Sequence, residues 1–387
     1  MDNLASEIGS MTAALVEWRR DFHRHPELAF EERRTSAVLR TFLESLGLEV
    51  RGCAGTGLVA VLRGGRPGRT VALRADMDAL PVAEASDHEY RSLNAGVMHA
   101  CGHDGHMAIL MGTAAILSAR RETLPGTVVF LFQPAEERPP GGARLMVEEG
   151  ALDGVDRVFG LHLWQPLPTG VVGLRAGAAM AQADNFEVVV CGRGGHASQP
   201  ERTVDPVVAA SHVVVAAQTI ASRFTTPLEP VVVSFTTIHG GEAHNIIPDS
   251  VVMTGTVRTL DRGTQSLVRE RLGEVCEATC RVFGASAEFA YTEGYPPVVN
   301  DPASVELVRR VAARELGADS VKAIAPVMGG EDFAYYLQRV PGAFAFLGIG
   351  DGRVHPHHSA RFDIDERALP LGVRLMTAVA LEMLQPA

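Results

Sequence analysis

This sequence has few cysteines and no excess of positive charge. It has five cysteines in 387 residues, an odd number, and Cys276 and Cys280 lie four apart on a predicted helix, where packing is favoured over bridging. Such usage is typical of a reducing compartment, so we expect a cytoplasmic protein. The net charge of −11 argues against a general nucleic-acid surface or an anionic-membrane surface.

Signals for membrane insertion are also lacking. The N-terminal residues do not combine a basic start, an apolar run and a small-residue cleavage site, and no apolar run reaches membrane-spanning length. We therefore expect no membrane partner. With 46% hydrophobic and 21% charged residues the composition is that of a globular protein, and 387 residues exceed what one core usually supports, so we expect two domains.

The segment Met98–His106 concentrates side chains that bind metals. Cys101 and His103 stand two apart around a glycine, so one turning backbone can direct both at the same point. Thiolate and imidazole are good ligands for zinc and its first-row neighbours. Asp104 and His106 are candidates for orienting an imidazole. Taken alone, this pair also fits a buried structural cysteine beside a surface histidine.

Three later segments make a metal site the favoured interpretation. Glu136 and Glu137 follow an apolar run at 127–131 that predicts a buried strand, and adjacent carboxylates at a strand end are expected to point to opposite sides. His162 lies within an otherwise apolar strand, and 355–359 contains three histidines. Packing does not readily explain four segments that all offer metal ligands.

The order of predicted elements indicates an inserted domain. Helices alternate with strands over 1–181 and again from 295 to 387, which predicts an α/β catalytic domain whose mixed, mostly parallel sheet is flanked by helices. Between them, 182–294 predicts strand, helix, two strands, helix and strand, which is the ferredoxin-like βαββαβ order. We interpret this insertion as a lid domain.

Together with further blocks along the chain, the segments that contain the candidate ligands resemble a known family, the M20 metallopeptidases, and in particular its amidohydrolase branch. That branch includes hippurate hydrolases, bacterial N-acyl-amino-acid amidohydrolases and plant indole-acetyl-amino-acid hydrolases. The matching blocks, in order, are 22–28 (FHRHPEL), 74–81 (RADMDALP), 101–103 (CGH), 133–137 (QPAEE), 194–200 (GGHASQP), 245–249 (NIIPD) and 328–333 (MGGEDF).

The resemblance implies a dinuclear metal site. It implies two divalent ions per subunit, of zinc, manganese, cobalt or nickel, held by Cys101, His103, Glu137, His162 and His358. It makes Glu136 the general acid and base and lets Asp78 orient a ligand. His358 is favoured over His357 because the family places the ligand four residues before a phenylalanine, here Phe362. The usual proline after the His-Ser pair is Ala360 here, so both histidines stay open.

The resemblance also assigns roles within the lid domain. It makes His196 the group that stabilises the oxyanion, and Asn245 and Arg258 are candidates for binding a substrate carboxylate. The apolar helix of the lid suggests a homodimer through that domain. The implied reaction is hydrolysis of the amide bond of a small N-acyl or N-aroyl L-amino acid. The alternatives are a dipeptidase, an N-acetyl-diaminopimelate deacetylase and a catalytically silent binder of amino-acid conjugates.

Overall fold

The computed structural model describes residues 2–350, 352 and 355–385, and these residues form two compact units. The large unit consists of Met1–Ala179, Val298–Ala325 and Asp332–Ala387. The inserted unit consists of Met180–Pro297 together with Pro326–Glu331. The predicted lid, 182–294, lies within the inserted unit.

The helices and strands follow one another in this order: α1 (Asp2–Arg24), α2 (Arg33–Ser45), β1 (Glu49–Cys53), β2 (Gly57–Arg63), β3 (Arg66–Asp76), α3 (His103–Ala119), β4 (Pro125–Gln133), α4 (Gly142–Glu148), β5 (Arg157–Pro168), β6 (Val172–Leu174), β7 (Gly177–Met180), β8 (Gln182–Cys191), β9 (Gly195–His196), α5 (Pro206–Thr219), β10 (Val232–His239), β11 (Ile246–Ile247), β12 (Ser250–Thr259), α6 (Arg262–Val282), β13 (Ser286–Tyr295), β14 (Val298–Asn300), α7 (Pro302–Leu316), β15 (Val321–Ala323), α8 (Ala334–Leu337), β16 (Gly342–Gly350) and α9 (Ala368–Met383).

The large unit is built on an eight-stranded sheet in the order β1-β2-β4-β3-β5-β16-β6-β15. Four neighbouring pairs are parallel, namely β3 with β4, β3 with β5, β5 with β16, and β6 with β15. The other three pairs are antiparallel. The central strands are buried on both faces, as parallel sheets require, which confirms the predicted mixed, mostly parallel α/β sheet.

The sheet brings the site-bearing loops to one edge. Strands β3 and β4 run parallel, and Asp76 at the end of one pairs with Gln133 at the end of the other. The chain therefore leaves both strands on the same side, where ligands of α/β sheets are usually bound. Helix α3 begins nearby at His103, directly after Gly102, whose φ of 90° lies in the left-handed region that glycine adopts readily.

The inserted unit has the predicted ferredoxin-like order. Its four-stranded antiparallel sheet is arranged β10-β12-β8-β13, and α5 and α6 connect the strands in the order βαββαβ. Both helices begin at an aspartate whose carboxylate accepts from backbone amides of the first turn, Asp205 for α5 and Asp261 for α6. The unit has its own apolar core, which includes Val188, Val213 and Leu272.

Helix α5 with the turn that continues it, Pro206–Phe224, departs from one sequence expectation. It has 19 residues, and an 18-residue stretch of it has a mean hydropathy of 1.3, so by length and composition alone it meets the criterion for a membrane span. The expectation that no segment would do so is therefore wrong. Polar Ser211 and Gln218 interrupt the apolar residues but do not lower the mean hydropathy below the criterion. Val213 and Ala217 pack into the core of the inserted unit, which accounts for part of the apolar content.

Candidate metal centre

Two sets of potential ligands meet at Cys101 in the large unit. Ligand atoms of Cys101, His103 and His162 lie within 4.8 Å of one another, and so do those of Cys101, Glu137 and His358. Three loops, the first residue of α3 and the middle of β5 supply these side chains. The structure thus brings together all five residues that the sequence proposes as ligands, in two groups that share one thiol.

Backbone carbonyls set the orientation of two of the imidazoles. His103 donates its Nδ1 hydrogen to the carbonyl oxygen of Asp78 at 2.8 Å, and His162 donates its Nδ1 hydrogen to the carbonyl oxygen of Leu163 at 2.7 Å. In its neutral form each ring therefore has its proton on Nδ1 and its lone pair on Nε2, which is the form that can bind a metal. The Nε2 of His162 lies 3.5 Å from the Cys101 sulfur. A carbonyl partner on the far ring nitrogen is common for histidines that bind metals.

His106 belongs to a further candidate group, with Asp76 and His103, but both of its ring nitrogens are already engaged. Its Nδ1 hydrogen goes to the Asp76 carboxylate at 2.6 Å, and its Nε2 accepts the Leu163 backbone N–H at 2.9 Å. No lone pair remains to bind a cation. His106 instead supports His162, because it accepts the N–H of Leu163, the residue whose carbonyl orients the His162 ring.

The turn that bears Glu136 and Glu137 differs from the sequence expectation. Strand β4 ends at Gln133, so the two carboxylates follow the strand rather than alternate along it. Ala135 has a φ of 52°, in the left-handed region, and this turn aims both side chains at His103, within 4.8 Å of it and of each other. The prediction that they point to opposite sides is wrong, because the turn replaces the extended backbone.

The structure separates the roles of His357 and His358. His358, which also has a left-handed φ of 63°, has its Nε2 atom 3.1 Å from Oε1 of Glu137. His357 is turned the other way and donates from Nε2 to the carbonyl oxygen of Leu163 at 3.0 Å. Burial lowers the pKa of His357 to about 4, so it is a neutral donor there. Of the two, His358 is the one beside the other ligands.

The charges around the site call for a cation. Burial lowers the pKa of His103, but Asp76 and Asp78 more than offset this and raise it to about 10. Burial, followed by Glu137 and Glu136, raises the pKa of the Cys101 thiol well above its usual value. Both shifts express the same excess of negative charge in a buried place, which a proton or a metal ion can neutralise.

The donor set fits divalent metal ions. Nε2 of His103 is buried without a hydrogen-bond partner among the described residues, and the ion-pair contacts of Oε1 of Glu137 and Oδ1 of Asp78 are with imidazoles, His358 at 3.1 Å and His103 at 3.3 Å. Buried polar atoms are almost always fully paired, so these atoms together indicate a place for a partner of positive charge. Sulfur, imidazole nitrogen and carboxylate oxygen together suit zinc, manganese, cobalt or nickel.

Asp78 contacts both His103 and the turn that bears Glu136 and Glu137. Its backbone carbonyl accepts from His103, while its Oδ2 accepts the backbone N–H of Glu137 at 2.9 Å. One residue therefore orients a ligand from α3 and fixes the turn after β4. This is consistent with the orienting role that the sequence analysis gives to Asp78.

The three remaining predicted residues lie in the inserted unit. His196 and Asn245 are neighbours on exposed segments, because β9 pairs with β11 and the Ala197 amide donates to the Asn245 carbonyl at 3.1 Å. His196 Nδ1 accepts the Ser198 backbone N–H at 3.1 Å, so in its neutral form the ring has its hydrogen on Nε2. Arg258, on β12, donates to the carbonyl of Val257 at 3.0 Å and to Thr256.

A buried ion network behind the site was not predicted in full. Arg74 contacts Asp76 at 2.7 Å and Asp332 at 3.1 Å, and Asp76 in turn holds His106. All four side chains are almost wholly buried. The signal was available, because Arg74 and Asp76 are two apart on a strand and so share a face.

Comparison with known proteins agrees with this geometry. The model of peptidase family M20/M25/M40 matches residues 72–382. The chain is 42% identical to the IAA-amino acid hydrolase ILR1-like 2 of Arabidopsis thaliana, over 96% of this chain and 85% of that protein. It is 46% identical to an N-acyl-L-amino acid amidohydrolase of Geobacillus stearothermophilus, over 74% of this chain and 78% of that protein.

A solved structure extends the similarity to the whole fold. A dinuclear metal-binding peptidase of the M20 family from Bacillus subtilis is 36% identical, with a TM-score of 0.85, and the match covers 96% of this chain and 98% of that one. The chain therefore belongs to peptidase family M20/M25/M40 and is an enzyme of the metal-dependent amidohydrolase type.

Proposed function

We propose that this enzyme hydrolyses the amide bond of N-acyl or N-aroyl L-amino acids with the help of two divalent metal ions. The observation that carries the proposal is the pair of ligand groups that share Cys101, with Glu136 beside them. Cys101, His103 and His162 would hold one ion, and Cys101, Glu137 and His358 the other. The names of two relatives, an N-acyl-L-amino acid amidohydrolase and an IAA-amino acid hydrolase, support this substrate class.

The chemistry divides between the metal and Glu136. Bound divalent ions would polarise the scissile carbonyl and make water acidic enough to react near neutral pH. Glu136 then takes a proton from the attacking water and delivers it to the nitrogen of the leaving amino acid. An amide nitrogen leaves poorly without a proton, so the reaction needs a second carboxylate besides the ligand Glu137. The Glu136 side chain is buried, which limits its contact with bulk water.

The inserted unit would supply groups that recognise the substrate. His196 is suited to stabilise an oxyanion because its Nδ1 is occupied as an acceptor, which leaves Nε2–H as the donor. Asn245, which lies next to it, and Arg258 are candidate donors to the carboxylate of the amino acid. We propose that the inserted unit acts as a lid, since a substrate that contacts both units favours a closed state.

A second copy of the chain is the proposed partner of the inserted unit. On α5 the side chains of Val207, Val208 and Val215 are exposed by 41%, 43% and 70%, although the same helix packs its other face into the core. Exposed valines side by side on one helix are typical of a protein contact. We propose a homodimer formed through this face.

Substrate assays with defined metals test the proposal. Apoprotein is supplied separately with Zn²⁺, Mn²⁺, Co²⁺ or Ni²⁺, and release of free amino acid is measured on N-acetyl, N-benzoyl and N-indoleacetyl amino acids, a dipeptide and N-acetyl-diaminopimelate. We expect metal-dependent turnover of the N-acyl amino acids. Preference for the dipeptide or for the diaminopimelate conjugate would favour those alternatives, and binding without turnover would favour a silent binder.

The matched variant for this assay is Glu136→Gln. It keeps the size of the side chain but cannot accept a proton, so we expect both metals to stay bound while turnover falls by about 10²- to 10⁴-fold. Metal content is measured on the same samples. Full metal occupancy with a near-normal rate would remove Glu136 as the acid and base.

A further inference from the structure

Glu32 is a buried carboxyl whose position the reaction scheme above does not explain. It stands directly before α2, and its solvent exposure is 0%. Its Oε1 accepts the backbone N–H of Ala135 at 2.9 Å, and its Oε2 accepts the hydroxyl of Thr56. The contact with Ala135 spans more than a hundred residues of sequence and ends one residue before Glu136.

Helix capping does not account for this carboxyl. Glu32 occupies the N-cap position of α2 but makes no side-chain capping bond. The capping role is taken by Glu27, whose carboxylate accepts from the backbone amides of Arg34 at 3.0 Å and Thr35 at 2.8 Å. The carboxyl of Glu32 is therefore left to reach the turn after β4.

The backbone N–H groups of the two residues that flank Glu136 both donate to carboxyl groups. Ala135 N–H donates to Glu32, and Glu137 N–H donates to Asp78 at 2.9 Å. Ala135 itself has a left-handed φ of 52°, a conformation that is unfavourable for a non-glycine residue and persists only where other contacts hold it. The hydrogen bond from Ala135 to Glu32 is such a contact.

We propose that Glu32 is a positioning residue that holds the Ala135–Glu137 turn and thereby aims the Glu136 carboxylate. The inference rests on the proposed role of Glu136 as acid and base. Burial raises the pKa of Glu32 to about 7. Either protonation state can serve, because a neutral carboxyl still offers its carbonyl oxygen to Ala135 and a hydrogen bond to Thr56.

The first test compares Glu32→Ala, Glu32→Gln and the neighbouring control Glu31→Gln, whose side chain is exposed. A shift of about 1 Å in a catalytic group can cost 10²-fold. We expect Glu32→Ala to lower kcat by about 10- to 100-fold while KM changes less than about threefold. The Gln side chain can accept from Ala135 and donate to Thr56, so Glu32→Gln should stay within about threefold of the parent, like the control.

The second test is a double-mutant cycle with Glu136→Gln. If Glu32 acts through Glu136, adding Glu32→Ala to Glu136→Gln should cost little further activity. Losses that multiply would overturn the inference, and so would an unchanged kcat in folded, metal-loaded Glu32→Ala. A normal rate in Glu136→Gln alone would instead show that the proposed function is wrong about the base, which is a distinguishable result.

Hydrogen exchange gives a readout that does not depend on turnover. In the metal-free protein the Ala135 amide should exchange faster in Glu32→Ala than in Glu31→Gln, because only the former loses its acceptor. A second variant combines Glu32→Ala with Ala135→Gly, because glycine adopts φ near 50° without support. We expect this double variant to fold even where Glu32→Ala does not, and to have a higher kcat than Glu32→Ala where both fold. No recovery in a folded double variant, or equal exchange in the first two variants, would contradict the proposal.

Discussion

Replacement of His106 tests whether the metal site depends on side chains that cannot themselves bind metal. His106→Leu keeps much of the volume but removes both hydrogen bonds of the ring. The buried Leu163 N–H loses its acceptor at 2.9 Å, and the Asp76 carboxylate loses a charge-assisted donor at 2.6 Å. A buried donor left unpaired costs about 1–3 kcal/mol.

Part of that cost should appear as weaker metal binding. Leu163 also provides the carbonyl that orients His162, so displacement of the Leu163 backbone should move the ring of this proposed ligand. Loss of such a supporting contact typically lowers metal affinity by 10- to 100-fold, which is about 1.4–2.7 kcal/mol. We therefore expect His106→Leu to bind its first metal ion 10- to 100-fold more weakly and to unfold at lower temperature when metal-free.

The assay is competition with a chromophoric chelator at fixed pH, together with thermal unfolding of the apoprotein. His239→Leu is the matched control, because His239 is exposed at the end of β10 in the other unit and does not lie on α5. A folded His106→Leu protein with unchanged metal affinity would refute the argument that His106 supports His162.

Four further predictions follow from named groups. Metal should protect Cys101 from iodoacetamide and chelation should expose it; equal labelling with and without metal, measured by peptide mass mapping, would contradict this protection. Because burial raises the pKa of this thiol, metal affinity should also fall as pH falls. His196→Ala should lower kcat strongly at unchanged metal content, and a normal kcat would remove its oxyanion role. Val215→Lys should convert a dimer into monomers in sedimentation velocity, and an unchanged mass would count against the α5 face. Burial acts to raise the pKa of Glu84, but hydrogen bonds from His23 and Ser86 prevail and lower it to about 2. The contribution of Glu84 to stability is therefore present above about pH 4.5 and is lost as the pH falls towards 2. Glu84→Gln should flatten the pH dependence of the free energy of unfolding in urea over that range.

The fold class was predictable because the hydrophobic pattern changes where the chain enters the inserted unit. Apolar runs separated by helices gave the large sheet, and alternating strands around two helices gave the ferredoxin-like order. The hydrophobic pattern did not predict two large elements, β16 and α9. Strand β16 (GAFAFLGIG) contains several glycines and alanines, which have low strand preference. Helix α9 is apolar over most of its surface, so its amphipathic period is weak.

The site was predictable in its members but not in its geometry. The ligand types and their order along the chain pointed to one cluster, and the structure brings the five side chains together. The direction of Glu136 and Glu137 was wrongly predicted because it depends on the left-handed φ of Ala135. That conformation is set by Glu32, a contact between distant segments that no local pattern encodes.

The way in which the ligands are oriented has a consequence for how the site tolerates change. Main-chain carbonyls, those of Asp78 and Leu163, choose the proton-bearing nitrogen of His103 and His162. A side-chain substitution cannot remove a carbonyl, so the tautomer of each ring persists as long as the local backbone does. Sensitivity is therefore transferred to the residues that hold this backbone, as His106 does when it accepts from the Leu163 N–H. By this reasoning buried His106, which is not a proposed ligand, belongs to the functional site as much as the proposed ligands do.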